Sequence, residues 1–120
     1  MTVVEANRIL SFGLLVLIWM VQSIVYPAFA EIAHDRFASW HSRYTRAITW
    51  FVAPLMFGQV GAMGWLLATR SRTSDWLGGV MLAFAWLATF TLAVPAHERL
   101  QKHGQDGAIV RRLIAANWIR

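Results

Sequence analysis

The sequence has no cysteine and little charge. None of its 120 residues is Cys, and only 14% are Asp, Glu, Lys or Arg. The missing thiols exclude disulfides, thiolate metal sites, iron–sulfur clusters and cysteine nucleophiles. The sequence also lacks a Gly-rich phosphate loop, an HExxH helix and a Ser–His–Asp order of catalytic residues. These absences favour a protein without catalytic activity.

Three long stretches contain no charged residue at all. They cover residues 9–30, 47–69 and 76–96, and they are 22, 23 and 21 residues long. A helix rises about 1.5 Å per residue, so each stretch would span roughly 30 Å, the thickness of a bilayer's hydrocarbon core. Because a spanning segment must satisfy its own backbone hydrogen bonds, the pattern predicts three transmembrane α-helices. We therefore expect an all-α integral membrane protein, with residues 1–120 forming a single membrane domain.

The segments outside these stretches predict two amphipathic helices. Between the first two stretches, apolar side chains recur at helical spacing, which predicts a helix over about 31–45 lying at the membrane interface. Its apolar stripe consists of Ala33, Phe37, Trp40 and Tyr44. Residues 108–120 combine apolar side chains with three arginines. This segment is too short and too basic to span, so it predicts an amphipathic C-terminal helix, also at the interface.

Basic residues are distributed unequally between the two predicted sides of the membrane. The side with the N-terminus and the 70–75 link has three, whereas the side with the 31–46 link and the tail has eight. Since Lys and Arg collect on the cytoplasmic side, this bias predicts a bacterial inner-membrane protein with its N-terminus outside and its 31–46 link cytoplasmic. The net charge of +5 lies outside the spans. The expected partners are therefore membrane lipids, with anionic headgroups on the cytoplasmic side, rather than nucleic acid.

Small residues and two amides predict how the spans pack together. Gly58 and Gly61 belong to a stripe of small residues in the second span, which would let a neighbouring helix approach closely. Gln22 and Gln59 lie at similar depths in the first two spans, and an unpaired amide is costly in hydrocarbon. These depths predict a hydrogen bond between Gln22 and Gln59. The alternative is that one amide binds the carbonyl of a quinone or pigment.

All four histidines fall on the predicted cytoplasmic side. Paired histidines can ligate a metal or a haem iron. His34 and His41, however, are seven residues apart, about 10 Å along a helix, and no predicted span contains a histidine. A haem, quinone or pigment site at the cytoplasmic rim would use His34, His41 and His97. Side chains near such a site would be Tyr26, Arg43, Tyr44 and Trp118.

Three functions remain open from the sequence. The favoured one is a structural or accessory subunit of a membrane complex, or a homo-oligomer. Its partners would be other membrane subunits or further copies of itself, with no cofactor and no metal. The alternative is the ligand-binding or redox protein with its site at the cytoplasmic rim. An oligomeric transporter of small solutes or lipids is least favoured, because no predicted span contains an ionisable residue.

Several short motifs are distributed along the chain. They are Tyr26-Pro27-Ala28-Phe29, Trp40-His41, Tyr44-Thr45-Arg46, Pro54-Leu55-Met56, Pro95-Ala96-His97 and Asn117-Trp118-Ile119-Arg120. Together they resemble an uncharacterised family of small bacterial integral membrane proteins, and the resemblance covers nearly the whole chain. It implies a membrane location and about four spans, the fourth following the last motif, and it implies no activity. The expectation is therefore either a three-span form or a chain whose fourth helix is missing.

Overall fold

Four helices make up residues 1–119, the part of the chain that the computed structural model describes. The first three are α1 (Val3–Glu31), α2 (His34–Thr69) and α3 (Thr73–His103). A shorter helix, α4, follows at Gly107–Ile119. The first three are long and apolar enough to cross a membrane. This confirms the predicted all-α architecture with three transmembrane helices and a further C-terminal helix.

The segment predicted as a separate interfacial helix is the first part of α2. This helix runs without interruption from His34 to Thr69, which corrects the expectation of two elements. The change to apolar sequence near residue 47 alters the surroundings of the helix, whereas its hydrogen bonds are local and continue across that point. Phe37, from the stripe expected to face lipid, is fully buried and packs edge-to-face on Phe29 of α1. Trp40 and Tyr44 also contact Phe29, so the three aromatic members of the stripe contact protein.

Two wide turns occupy matching places in α1 and α3. Five-residue π-helical segments cover Val21–Val25 and Thr89–Ala93, and each ends two residues before a proline, Pro27 or Pro95. Proline has no N–H, and in an α-helix its ring clashes with the carbonyl four residues earlier. That carbonyl lies within the π segment in both helices, where the wider turn makes room for the ring. Both helices can therefore continue past their prolines.

The long helices pack in pairs around α2. At Gly58, a Cβ would lie 3.3 Å from both Leu10 methyl carbons, so α1 and α2 approach closely there. At Gly78, a Cβ would lie 2.8 Å from Cε of Met63, which marks a close contact of α3 with α2. Gly61 corrects the predicted stripe, because a Cβ there would meet no atom within 4 Å. Its position on α2 turns it away from both neighbours.

The two ends of the bundle differ in their chemistry. The N-terminal end contains the chain's start and the α2–α3 link, where the guanidinium of Arg70 donates to the Asp75 carboxylate at 2.6 and 3.2 Å. The backbone N–H of Arg72 also donates to Asp75, at 3.1 Å. The opposite end contains residues 32–33 and 104–106, and we call it the histidine end.

Candidate functional site

Two histidines meet where α2 and α3 cross at the histidine end. Nε2 of His41 lies 3.0 Å from Nδ1 of His97, and the two rings stack with centroids 5.2 Å apart. Nδ1 of His41 lies 2.9 Å from Oε1 of Gln101. The Nε2 of Gln101 in turn donates to the carbonyl of Ala38 at 3.1 Å. This chain of four groups, which we call the histidine relay, joins the first turns of α2 to the last turns of α3.

The partners of the histidine relay determine where its protons lie. A backbone carbonyl only accepts, so the Gln101 amide must turn its NH₂ towards Ala38 and its oxygen towards His41. Nδ1 of His41 must then carry a proton and donate it to that oxygen. In neutral His41 the other nitrogen is an acceptor, so His97 donates from its Nδ1 to Nε2 of His41. Both ring nitrogens of His41 are engaged, and the side chain is only 1% exposed.

Aromatic rings enclose His41. Phe37 stacks on it with centroids 5.5 Å apart. Phe29, at the end of α1, is fully buried and makes edge-to-face contacts with four rings. Those four rings belong to Phe37, Trp40, His41 and Tyr44. Tyr26 packs against both Phe29 and His97. Because these walls are apolar, the hydrogen bonds of the histidine relay are what makes burial of His41 tolerable.

Local backbone features place these rings. After the π-turn and Pro27, α1 tightens into a 3₁₀ turn at Phe29–Glu31, which directs Phe29 into the centre of the cluster. Gly104 ends α3 with a φ of 77°, a left-handed conformation that glycine adopts without strain. The next residue, Gln105, donates its side-chain N–H to the carbonyl of Phe29. The α3–α4 link is thereby tied to the end of α1.

The structure brings together four of the seven predicted rim residues. His41, His97, Tyr26 and Tyr44 belong to one cluster. Of the other three, Arg43 is exposed on another face of α2, and His34 is exposed two turns before His41 at the start of the helix. Trp118 of α4 contacts Trp19 of α1 instead. Arg43 instead lines a shallow depression at the rim that also includes Trp40.

Sequence reasoning missed Gln101, which completes the histidine relay. Its signal was present, because His97 and Gln101 are four residues apart and therefore share one face of a helix. Ala96 and Leu100, their immediate neighbours, repeat the same spacing and are both buried. Ala96 and Leu100 face protein. Because His97 and Gln101 each follow one of them directly in the same helix, the two polar side chains are expected to lie beside that buried face.

Gln22 and Gln59 have different partners, which corrects the predicted hydrogen bond between them. Gln59 donates from Nε2 to Oγ of Ser11 at 2.8 Å. Gln22 accepts at Oε1 from Nδ2 of Asn117 at 2.9 Å. The same Nδ2 lies 3.2 Å from the carbonyl of Ile18. The physical reason is α4, which brings a third amide to α1.

The position of α4 also differs from expectation. It turns back from the histidine end and packs along α3, with Leu113, Ala116 and Asn117 buried. Trp118 makes an edge-to-face contact with Trp19 of α1, with centroids 5.6 Å apart. The apolar face of α4 is therefore covered by protein rather than lipid, and α4 bridges the gap between α1 and α3 at the histidine end.

A cleft of about 640 Å³ runs between α1 and α3, with α2 as its floor. It extends from Asn7 and Gly78 at the N-terminal end to Tyr26 and His97 at the histidine end. Its lining is mainly apolar side chains from the three long helices. Asn117, in the last described turn of α4, also lines it. The cleft therefore begins where α4 ends, in the same gap between α1 and α3.

Neither a search for metal ligands nor a comparison with known proteins identifies a function for this site. Within residues 1–119, no group of three or more His, Cys, Asp or Glu side chains is placed to hold a metal ion. No protein family, curated protein or solved structure matches the chain.

Proposed function

We propose that this protein is a non-catalytic subunit of a membrane assembly, and that its cleft receives a transmembrane helix of another membrane protein. The observation that carries the proposal is the gap between α1 and α3. The two helices both pack on α2, and the space between them is the cleft. Helices in lipid associate through close packing, so such a gap favours an occupant of matching shape.

The position of α4 supports a helix as that occupant. α4 packs on α3 and contacts α1 through Asn117 and Trp118, so the gap accommodates a helix at the histidine end. A second helix that lay between α1 and α3 as α4 does, but nearer the N-terminal end, would complete a four-helix bundle with α1, α2 and α3. We infer that the occupant lies in the part of the cleft between Asn117 and the N-terminal end.

The chemistry of the cleft walls favours an apolar occupant. Side chains with small volume, among them Ala53 of α2 and Ala85 of α3, line the cleft and would allow a backbone to approach. The polar pair Ser11 and Gln59 is satisfied internally, because Ser11 accepts from Gln59 and donates to the carbonyl of Asn7 at 2.8 Å. Two other buried polar atoms of the lining, Oδ1 of Asn7 and Nε1 of Trp86, have no hydrogen-bond partner among residues 1–119. A helix with a mainly apolar face that carries a few polar groups therefore fits these walls best.

A haem or pigment metal bound to His41 would disrupt the histidine relay. His41 would have to give up a hydrogen bond at 2.9 or 3.0 Å before either nitrogen could bind a metal. A quinone or similar amphiphile is the second candidate occupant. It is favoured by Tyr26, Tyr44 and His97, which place polar groups at one end of an otherwise mainly apolar cleft.

Site-directed cross-linking tests the proposal, because the chain has no cysteine of its own. Ala85→Cys places a thiol in the cleft wall, whereas Ala83→Cys places one on an exposed face of the same helix. With a photoreactive maleimide in native membranes, we expect Ala85→Cys to form an adduct with another protein, in severalfold higher yield than Ala83→Cys. An adduct at twice the mass of this chain, or adducts with lipid or quinone alone, would contradict a partner helix.

We also propose that the protein lies in a bacterial inner membrane with the histidine end facing the cytoplasm, in contact with anionic headgroups. The support is the excess of basic residues at that end among residues 1–119, seven against three. A membrane-impermeant maleimide applied to intact spheroplasts should label Ser71→Cys, in the α2–α3 link. It should label Asp106→Cys only after the membrane is broken. The reverse labelling pattern would overturn this orientation.

A further inference from the structure

We propose that His41 and His97 form one proton-binding site, which takes up a single proton rather than two as the pH falls. The two histidines form this site without a contribution from any occupant of the cleft. The observation behind it is the 3.0 Å separation of Nε2 of His41 from Nδ1 of His97. At this distance the two nitrogens share one hydrogen-bonding proton in every favourable state of the pair.

The neutral pair has one arrangement that satisfies all of its neighbours. His41 donates from Nδ1 to Gln101 and accepts at Nε2 from Nδ1 of His97. Adding one proton gives an imidazolium on either ring, and the proton between the rings then bridges a charged donor and a neutral acceptor. Such charge-assisted hydrogen bonds are roughly twice as strong as neutral ones. One proton can therefore be accommodated without breaking the histidine relay.

A second proton would break it. Both rings would then be charged, and both facing nitrogens would carry N–H groups 3.0 Å apart with no acceptor between them. Like charges on stacked rings whose centroids are 5.2 Å apart would add direct repulsion. Two groups that interact this strongly titrate as a pair, so the second protonation is separated from the first.

The groups that face the pair favour this behaviour. Tyr26 faces His97 from α1, and Tyr44 faces His41 from α2. On α3 the facing group is Gln101, a neutral acceptor in both states of the pair. The side of α4 that packs on this cluster consists of Ile109, Val110, Leu113 and Ile114. The charged side chains nearby are exposed rather than buried with the pair, and they are Glu98, Arg99, Lys102, Arg111 and Arg112.

His97 provides the route by which a proton reaches the site. His41 is 1% exposed, whereas His97 is partly exposed and lines the cleft. Gln101 acts as a positioning residue, because its oxygen holds Nδ1 of His41 in the protonated form. The charge of the pair can therefore change through His97 while the α2–α3 contact at His41 and Gln101 stays the same.

Histidine-selective ¹⁵N NMR on the whole chain in lipid nanodiscs tests the proposal. In a His34→Gln, His103→Gln background, His41 and His97 are the only histidines. Lowering the pH from 8 to 5 should produce one imidazolium per chain. Adding His41→Gln removes a ring and should leave that number at one, because His97 then titrates alone.

Two other outcomes would overturn the single-proton site. Two imidazoliums at pH 5 would mean that the rings titrate independently, and none would mean that the buried pair stays neutral. The tautomer gives a second readout in the same spectra. At pH 8, Nδ1 of His41 should carry the proton, and Gln101→Leu should abolish that preference. If the tautomer is unchanged by this substitution, Gln101 does not position His41.

Discussion

Replacing His41 with alanine is expected to lower the free energy of unfolding by about 3 kcal/mol. The substitution removes hydrogen bonds at 2.9 and 3.0 Å and leaves the oxygen of Gln101 without this donor. It also leaves a cavity against Phe29 and Phe37, both of which are fully buried. Reversible unfolding of the purified protein in mixed micelles, followed by circular dichroism, would measure the change.

His34→Ala is the matched control for this prediction. His34 is the same residue type on the same helix, but it is exposed at the first position of α2. Its substitution should change the free energy of unfolding by less than about 0.5 kcal/mol, as is usual for surface positions. Equal losses for His34→Ala and His41→Ala would contradict the structural importance of the histidine relay.

Replacing Asn117 with leucine is expected to release α4 from α1. Asn117 is 3% exposed, and its amide donates to Gln22 and to the carbonyl of Ile18. Hydrogen bonds between helices in membranes contribute about 1 to 2 kcal/mol. A loss of about 1.4 kcal/mol would raise the open fraction of α4 roughly tenfold. Hydrogen exchange of the α4 amides, resolved by mass spectrometry, should accelerate by that factor.

Arg112→Gln provides a control on the same helix. Arg112 is exposed, so its substitution should leave hydrogen exchange in α4 nearly unchanged. Exchange in α2 should be unaffected by either variant, because Asn117 contacts α1. If Asn117→Leu and Arg112→Gln behave alike, the amide contact between α4 and α1 does not hold α4 in place.

The transmembrane helices were predictable from the sequence because the bilayer imposes a length and excludes charge. The helix limits were less predictable. Absence of charge marks the part of a helix that lies in lipid, whereas helical hydrogen bonds extend beyond it. For this reason α2 begins at His34, 13 residues before the apolar stretch that starts at residue 47, and α3 continues to His103 rather than ending at residue 96.

The candidate site was only partly predictable. The seven-residue spacing on one helix correctly predicts that His34 and His41 do not meet. The pairing of His41 with His97, in contrast, joins residues that are 56 positions apart in the sequence. That pairing depends on where α2 and α3 cross, and hydropathy carries no information about crossing points. The partner of Gln22 was missed for a related reason. Asn117 was expected at the membrane surface, since a short basic helix resembles an interfacial one until a protein surface covers its apolar side.

The two ends of the bundle are held together to different extents. The histidine relay fixes α2 to α3 at one end, and α4 bridges α1 and α3 at the same end. At the N-terminal end, α2 supplies the main contacts of both α1 and α3. The bundle is therefore fixed at the histidine end and open along the cleft towards the other end.

The occupant of the cleft is the central claim, and the mass of the Ala85→Cys photo-adduct in native membranes tests it most directly. We expect an adduct with a second, different membrane protein, cross-linked through a segment that mass spectrometry identifies as a transmembrane helix. The yield at position 83 should be severalfold lower. If Ala85→Cys reacts only with lipid or quinone, or as readily as Ala83→Cys, the cleft does not receive a partner helix.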